Sequence, residues 1–359
     1  MASPMSMIDP ERLKGTVEHV FGFLQGAVVA GMIHLGDRLG LYRALGGAEP
    51  MTSEELADKT GLHERWVREW LHGQVAAGLV QHRSGRFALS VEGAMVLAEE
   101  RSPFFAAGSF CGLPQQLGVL DKLPESFRTG MGLPYDAFGL EGNRGVERMC
   151  APWFRTALVP IALPALDGVV ARLEAGVKVA DVGCGAGVAL IEMARAFPRS
   201  DFHGYEISQY ALARAETNKA EAGVKNLRFH DADGEALPAD ASFDFITTFD
   251  CIHDMADPMS VMHAIRAALG SDGTWLIGDM RSRATLEENV AANPMAAMMY
   301  GFSVLSCLSS ALSKPGGAGL GTLGFTEEIA RTMTADAGFT RFRRHDFGNP
   351  VNAYYEVRP

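Results

Sequence analysis

The hydrophobic and polar positions of the N-terminal region recur at helical spacing and are separated by turns. Thr52-Ser53-Glu54-Glu55 is typical of a helix start, because a hydroxyl and an acid there satisfy free backbone amides. The next helix is predicted over His63–Ala77. Two short strand patterns, Gly78–His82 and Phe87–Leu89, then flank a turn. A helix, a turn, a helix and a two-stranded wing predict a winged-helix domain, which we place in residues 1–97.

The rest of the chain is predicted to form a connector and an α/β domain. Residues 98–176 show prolines between short apolar helices and no strand pattern, so we expect a helical connector. In residues 177–359 strands and helices alternate, which predicts parallel strands joined by right-handed crossovers in a doubly wound α/β sheet. Only a Gly-Asn-Pro turn separates the last two strands, so they must pair antiparallel. The seven predicted strands are Val177–Val182, Asp201–Glu206, Leu227–His230, Phe243–Thr248, Trp275–Ile277, Arg341–Phe347 and Asn352–Val357.

A glycine-rich run joins the first of these strands to a helix. Asp181 lies in the strand, and Gly183, Cys184, Gly185 and Gly187 follow. Glycines in such a turn let the backbone approach a ligand closely and leave a helix N-terminus pointing at it. The G-x-G-x-G spacing, with an acid two places before the first glycine, differs from the dinucleotide-binding pattern. It resembles the first motif of class I S-adenosylmethionine (SAM)-dependent methyltransferases.

The resemblance assigns further residues to the cofactor. Glu206, followed by Ile207, ends the second strand, where an acid would accept hydrogen bonds from the ribose hydroxyls. Asp233-Gly234 follows the third strand, where the family holds the adenine amino group, and Asp231 competes for this role. Phe249-Asp250 ends the fourth strand, where the family lines the methyl-transfer pocket. The resemblance therefore implies SAM as cofactor, S-adenosylhomocysteine (SAH) as product, and a seven-stranded Rossmann-like sheet with an antiparallel last strand.

The next segment, Asp250-Cys251-Ile252-His253-Asp254, resembles the His-Asp segment of small-molecule O-methyltransferases with an N-terminal winged-helix dimerisation domain. In that family the histidine removes the substrate hydroxyl proton, so the resemblance makes His253 the general base, with Asp254 beside it. An imidazole titrates near neutrality and suits this task. Met255 departs from the aromatic residue often found there, and the orienting acid is not evident, although Glu287 and Glu288 lie in the right part of the chain. His253 could alternatively cap the helix or bind the cofactor ribose.

A lid over the substrate is predicted between the fifth strand and the C-terminal hairpin. A bacterial branch of these methyltransferases, largely uncharacterised in substrate, shows a similar Asn-Pro run, aromatic and Cys positions, and a Gly-Gly-Ala-Gly-Leu-Gly loop, here ending at Gly321. Residues 281–324 follow a strand whose carboxyl end faces the site, so we expect them to line the substrate pocket. The candidate substrate residues are Asn293, Met298, Tyr300 and Phe302. Alternatively, the methionine-rich stripe packs in the core or against a partner subunit.

Composition and charge exclude several classes of protein. Hydrophobic residues make up 47% and charged residues 21%, which excludes intrinsic disorder. A net charge of -11 argues against non-specific nucleic-acid binding. Five scattered cysteines predict neither a disulfide framework nor a zinc site, and we expect no metal. Residues 1–20 lack a signal-peptide pattern and Phe21–Leu35 is too short and mixed to span a bilayer, so we expect a cytoplasmic protein with no membrane partner.

The function predicted from these residues is O-methylation of a small molecule by SAM. One alternative is a small thiol or amine acceptor, for which His253 would be dispensable. Another is a SAM-responsive winged-helix regulator that binds DNA; it is disfavoured because acids offset the arginines of His63–Ala77. Trp66 and Trp70 lie on one face of that helix and suit a dimer interface instead. The resemblance also implies a homodimer through the N-terminal domain.

Overall fold

The computed structural model describes residues 8–359, and the chain divides into two compact units between Leu113 and Pro114. The first unit contains the predicted winged helix and the second contains the glycine-rich motif. The domain boundaries placed at residues 97 and 176 stay predictions. Residues 1–7, part of the segment without a signal-peptide pattern, lie outside the described residues.

Sixteen α-helices and nine strands are found in the described part of the chain. The helices are α1 Pro10–Arg38, α2 Leu41–Leu45, α3 Ser53–Thr60, α4 Glu64–Ala76, α5 Val91–Leu97, α6 Leu113–Leu117, α7 Leu123–Thr129, α8 Gly139–Trp153, α9 Val169–Ala175, α10 Val188–Ala196, α11 Gln209–Ala222, α12 Pro258–Ala268, α13 Leu286–Ala292, α14 Ala296–Phe302, α15 Leu308–Ala311 and α16 Glu327–Asp336. The strands are β1 Gln81–Arg83, β2 Arg86–Ala88, β3 Lys178–Val182, β4 Asp201–Glu206, β5 Leu227–Asp231, β6 Phe243–Phe249, β7 Leu269–Met280, β8 Arg341–His345 and β9 Asn352–Arg358. Short 3₁₀ or π-helical turns include Tyr135–Phe138, Phe154–Ala162, Ile252–Asp254 and Ser303–Cys307.

The first unit forms the winged helix that the sequence predicts. Thr52 caps α3 in a reciprocal capping box with Glu55. Helix α4 follows, and β1 and β2 pair antiparallel across the Ser84-Gly85 turn, where both residues have positive φ. The two strands form the wing.

Trp66 and Trp70 differ in their surroundings although both lie on α4. Trp70 is 6% exposed, packs edge-on against Tyr42 and donates its Nε1–H to Met32 O at 2.9 Å. Trp66 is 79% exposed. The expectation that both tryptophans face a dimer interface is therefore wrong for Trp70, because folding of the unit itself buries that side chain.

Helix α1 is longer than the apolar segment on which the membrane argument rests. It spans 29 residues from the Asp9 cap, and by length and composition it could cross a bilayer. One such helix near an N-terminus is weak evidence for a membrane span, but its length no longer excludes one. Its exposed apolar side chains include Leu13, Val17, Val20, Phe21, Phe23, Leu24 and Val28. The cytoplasmic location stays a prediction.

The second unit contains the seven-stranded sheet, in the order β5-β4-β3-β6-β7-β9-β8. Strands β3 to β7 run parallel to one another, whereas β9 is antiparallel to both β7 and β8. Two buried apolar clusters, one around Leu190 and Phe202 and one around Ile246 and Trp275, form the core. The strand order reverses between β3 and β6, which places a crevice at their carboxyl ends. The predicted doubly wound sheet with an antiparallel last strand is confirmed.

Strand β7 differs most from its prediction. It runs from Leu269 to Met280, whereas the sequence pattern indicated only Trp275–Ile277. Its first residue pairs with Phe243 of β6, and its last residue pairs with Asn352 of β9. Pairing on both sides therefore extends the strand past its apolar centre and adds Asp279 to its carboxyl end.

Candidate active site

The glycine-rich loop connects β3 to α10 at the carboxyl edge of the sheet. The N–H groups of Gly183 and Cys184 donate to Tyr205 O at 2.8 and 3.2 Å, which ties the loop to β4. Gly187 has a φ of +73°, and a Cβ there would lie 2.4 Å from the Phe229 ring, so only glycine fits. Gly185 has a φ of +54°, and its Cβ position has no other atom within 4 Å. The loop is thus tightly packed at Gly187 and open at Gly185, as expected for a loop whose backbone binds a ligand.

Two buried carboxyl groups lie beside this loop. Asp181 is 2% exposed, and burial raises its pKa to about 7. Glu206 accepts backbone N–H bonds from Gly185, Ile207 and Ser208 at 2.8, 2.9 and 2.9 Å. Burial raises the pKa of Glu206, although these three donors act in the opposite direction. Glu206 thus joins the glycine-rich loop to the end of β4 and keeps lone pairs that suit a ribose diol.

The turn after β5 separates the roles of Asp231 and Asp233. Asp231 Oδ1 accepts the N–H of Asp233 at 3.1 Å, and Oδ2 accepts from Gln209 Nε2 at 2.8 Å. Both aspartates are exposed, but the Asp231 carboxylate is engaged by neighbouring groups of the protein, whereas Asp233 lies beside the exposed Gly234. This geometry favours Asp233 as the partner of an adenine amino group, as the sequence spacing suggests.

The end of β6 carries a strained residue. Asp250 has a φ of +51°, in the left-handed region that side chains with a Cβ rarely adopt. Its N–H donates to Gly278 O at 2.8 Å, and its carboxyl group accepts a hydrogen bond from Asn352 Nδ2. Burial raises the pKa of Asp250 to about 7. The preceding Phe249 packs against Trp153, with ring centroids 6.1 Å apart.

His253 and Asp279 form a buried pair next to this strand end. His253 lies in the turn Ile252–Asp254 and is 2% exposed, and Asp279 is 1% exposed. The distance from His253 Nδ1 to Asp279 Oδ1 is 2.6 Å. Burial by itself lowers the pKa of His253, but the charge and hydrogen bond of Asp279 raise this pKa well above its usual range. Because Asp279 holds Nδ1, Nε2 is the ring nitrogen that remains for a substrate proton.

The acid that orients His253 is therefore Asp279, and not Glu287 or Glu288. Glu288 closes a capping box with Thr285 at the start of α13, and Glu287 is exposed. The sequence pattern does not indicate Asp279, because the apolar run of its strand stops at Ile277. The available signal was an aspartate just past an apolar strand whose carboxyl end faces the crevice.

Three further side chains surround the His253 ring and its segment. Burial raises the pKa of the adjacent Asp254 to about 7. The Cys307 thiol, in the π-helical turn Ser303–Cys307, interacts with the imidazole. Burial, with the nearby charges of Glu206 and Asp254, raises the pKa of Tyr135 well above its usual range. Tyr135 is thus near both the Glu206 and the Asp254 carboxyl groups, and no sequence motif indicates it because it belongs to the predicted connector.

The candidate substrate residues of the lid differ in their surroundings. Asn293 is engaged within its own segment, where its side-chain Nδ2 lies 3.0 Å from Met299 Sδ. Met298 and Tyr300 are 51% and 37% exposed, and Phe302 is half-buried. Their roles in substrate binding stay predictions.

The glycine-rich run of the lid is attached to the His253 segment. Gly321 N–H donates to His253 O at 3.0 Å, and Ala318 N–H donates to Ala256 O at 2.9 Å. A movement of this run would therefore break contacts with the segment that carries the base. That the run acts as a hinge stays a prediction.

The site residues fit SAM without a metal ligand set. The open space above Gly185, the Glu206 carboxylate and the exposed Asp233 follow one another along the edge formed by β3, β4 and β5. Within residues 8–359, no group of three or more His, Cys, Asp or Glu could hold a metal ion. A surface cleft in the first unit, lined by Arg43 and Met95 among others, contains none of the predicted site residues.

Comparison with known protein families defines the class of the two regions. Residues 173–338 match the family described as methyltransferase domain, and residues 27–99 match the Rv2258c-like winged HTH domain. The chain therefore carries a class I SAM-dependent methyltransferase domain preceded by a winged-helix domain. The sequence predictions of the fold, the protein class and the cofactor are confirmed.

Individual relatives agree with this class. The ubiquinone biosynthesis O-methyltransferase of Paracidovorax citrulli is 34% identical over 119 residues, which is 33% of this chain and 48% of that protein. The chain thus spans about half the length of this relative. Human N-acetylserotonin methyltransferase in complex with SAM has a TM-score of 0.67 at 16% identity, covering 98% of this chain and 99% of that one. An O-methyltransferase family protein from Burkholderia thailandensis has a TM-score of 0.68 at 14% identity, covering 95% and 97%. At these identities the two structures show a shared fold.

Proposed function

We propose that this protein transfers the methyl group of SAM to a hydroxyl group of a small molecule, with His253 as the general base. The observation that carries the proposal is the buried contact of 2.6 Å between His253 Nδ1 and Asp279 Oδ1 at the carboxyl edge of the sheet. A base held at one nitrogen by a carboxylate presents the other nitrogen to a substrate proton in a fixed direction. The relatives named above as O-methyltransferases support the same acceptor atom.

The protein's contribution to such a transfer is position, exclusion of water and proton removal. SAM supplies a methyl group on a sulfonium, which is a good leaving group. The loop of Gly183 and Gly185 would hold its methionine part, Glu206 the ribose and Asp233 the adenine. His253 Nε2 would take the acceptor proton while Asp279 stabilises the imidazolium that results.

SAH release from SAM, measured with a panel of phenols, carboxylates, thiols and amines, tests the proposal. We expect turnover with at least one hydroxyl acceptor, with the product carrying the methyl group on oxygen by mass spectrometry. Turnover restricted to thiols or amines would contradict O-methylation and leave the methyltransferase domain intact. SAH binding measured in parallel would show that an inactive preparation is still folded.

The structure gives the DNA-binding alternative no support. On α4, Arg65 pairs with Glu69 at 2.6 Å and Arg68 pairs with Glu64 at 3.3 Å. In the wing, Arg86 pairs with an acid of α3 at 2.8 Å. These arginines are partly neutralised within the domain, so less positive charge remains for phosphates.

A homodimer is the second part of the proposal, with α1 contacting a second copy of this chain. Helix α1 has more exposed large apolar side chains than a helix on the surface of a soluble monomer usually has. We expect light scattering to show a dimer, and replacing Phe21 and Phe23 together by Glu to give a monomer. The matched control is Phe127→Glu, a change to an even more exposed phenylalanine of the second unit that should leave the dimer intact. A wild-type monomer at micromolar concentration would contradict the proposal.

A further inference from the structure

A row of four titratable side chains crosses β4 and β5 outside the His253 site. His203 Nε2 lies 3.2 Å from Asp201 Oδ2, and His203 Nδ1 lies 2.9 Å from His230 Nε2. His230 Nδ1 lies 2.9 Å from Glu235 Oε2. The two imidazole planes differ by only 13° with centroids 5.2 Å apart, so the rings meet edge to edge and the N–N contact lies near both ring planes. The row, called the relay below, is a continuous chain of close polar contacts between two carboxylates: two hydrogen bonds at His203 and an ion-pair contact from His230 to Glu235.

The relay is complete only with three protons on its two rings. Each carboxylate accepts and cannot donate, so the outer nitrogens of both rings must carry a proton. The central contact needs one more proton on either His203 Nδ1 or His230 Nε2. Two neutral imidazoles carry only two protons together, so the complete relay holds one neutral ring and one imidazolium. Burial lowers the pKa of His203, and the charge and hydrogen bond of Asp201 act against this decrease.

The end of the relay is attached to the turn that carries Asp233. Glu235 N–H donates to Asp231 O at 2.7 Å, and Gly234 N–H donates to the same oxygen at 3.1 Å. The carboxylate of Glu235 reaches back to His230 and so fixes the far end of the turn to β5. The side chain of Glu235 is 62% exposed, against 44% for Asp201 at the other end of the relay. The contact between His230 and Glu235 is therefore the one that water replaces more readily when a proton is lost.

We propose that Asp201, His203, His230 and Glu235 are positioning residues for the adenine-binding turn, and that cofactor affinity falls when the relay loses its third proton. The proposal rests on the proposed cofactor contact of Asp233. With the third proton present, the Nδ1–H of His230 faces the Glu235 carboxylate and holds the turn; without it, a lone pair of Nδ1 faces the same carboxylate at 2.9 Å and repels it. The affinity for SAH should therefore decrease as pH rises.

Other charged groups act on the relay or on the cofactor site. Lys178 of β3 opposes a proton on His203, and Arg228 of β5 pairs with Asp201 at 3.0 Å. Tyr205 stacks on His230, and burial, with the charges of Glu235 and Asp240, raises the pKa of Tyr205 to about 12. In the cofactor site, the raised pKa values of Asp181 and Glu206 mean that these acids gain charge as pH rises. This gain of negative charge favours a cationic ligand. It would therefore increase cofactor affinity as pH rises, whereas loss of the relay's third proton would decrease it.

The test compares SAH binding by calorimetry between about pH 6 and pH 9 in wild type, Glu235→Gln and His263→Gln. Over this pH interval, we expect the dissociation constant for SAH to increase about two- to fivefold more in wild type than in Glu235→Gln. This range corresponds to the free energy of a partly exposed ion pair. His263, an exposed histidine of α12, is the matched control and should keep the wild-type profile. A Glu235→Gln profile equal to wild type would overturn the positioning role.

Nitrogen-15 spectra of the histidine rings provide a readout that does not depend on the cofactor. We expect three ring N–H groups on His203 and His230 at the acidic end, and two after the transition in SAH affinity. If His203 and His230 together show only two ring N–H groups at every pH measured, the relay has no third proton and the proposal is overturned. A three-proton relay in a protein that binds no SAH at any pH would instead overturn the proposed cofactor site, and the positioning role with it.

Discussion

Replacing His253 by Gln should lower the rate of O-methyl transfer by about 10²–10⁴-fold, the usual contribution of a positioned general base. The variant loses the only group that Asp279 orients towards a substrate proton, while its amide can still donate to the Asp279 carboxylate. This retained hydrogen bond matters, because a truncated side chain would leave the buried Asp279 carboxylate without its side-chain partner, with the Met280 N–H still donating to it at 2.7 Å. SAH binding should stay within about twofold of wild type, since no cofactor contact is changed. Single-turnover rates and calorimetry measure the two effects separately.

The control for this variant is His263→Gln, which makes the same replacement on the exposed face of α12. A His253→Gln variant that keeps the wild-type rate on a hydroxyl acceptor would exclude His253 as the base. If the rate survives only with thiol acceptors, the alternative of sulfur methylation gains support, because a thiol ionises with less help than a hydroxyl.

The pH dependence of the same reaction identifies the role of Asp279. Because Asp279 raises the pKa of His253, the neutral base forms only as pH rises, and the rate should increase with pH through that pKa. In Asp279→Asn the imidazolium loses its stabilising charge, so the ascending limb should move to lower pH. The maximum rate should also fall, because an amide does not fix the ring in one tautomer. An unchanged limb would show that the proton acceptor in the reaction is another group.

The fold could be predicted from the sequence where each strand is bounded by its own local signal. The Asp201–Glu206 strand is found with the predicted bounds, because a proline-containing turn at Pro198 and the Ser208 helix cap flank a buried run. Strand β7 could not be bounded in this way, since its ends are set by pairing with Phe243 and Asn352 on other strands. Helix α1 was misjudged for a related reason: small residues interrupt its apolar pattern without interrupting its backbone hydrogen bonds.

The candidate site shows the same division between local and distant information. The glycine-rich loop, Glu206 and His253 follow one another at the ends of successive strands, so their positions follow from the order of elements. Asp279 lies 26 positions from His253 in the chain, and the two meet only because β6 and β7 are neighbours. Tyr135 comes from a connector with no motif, and only packing brings it near Asp254. Such contacts cannot be predicted from the spacing of residues along the chain.

Replacing Glu206 by Gln should weaken the binding of SAM and SAH by about 10- to 100-fold. Both oxygens of Glu206 accept backbone N–H groups, from Gly185 on one side and from Ile207 and Ser208 on the other. The amide of Gln has one oxygen, so its NH₂ group must face one of these donors. A hydrogen bond to a charged group contributes about 1.5–3 kcal/mol, which corresponds to this loss of affinity. Calorimetric titration with SAH measures it without any acceptor.

The pH dependence of wild type supplies an independent check on Glu206. Since burial raises the pKa of Glu206, its carboxylate should become protonated at a higher pH than an exposed glutamate, and cofactor affinity should fall on mild acidification. Glu206→Gln should lose this acid-side decrease, because its amide does not titrate. Glu216→Gln, a change on the exposed face of α11, should retain both the affinity and the decrease. A Glu206→Gln variant with wild-type affinity would show that the ribose binds elsewhere. A ribose held by the Glu206 carboxylate must bind more weakly when an amide NH₂ group replaces one of the carboxylate oxygens.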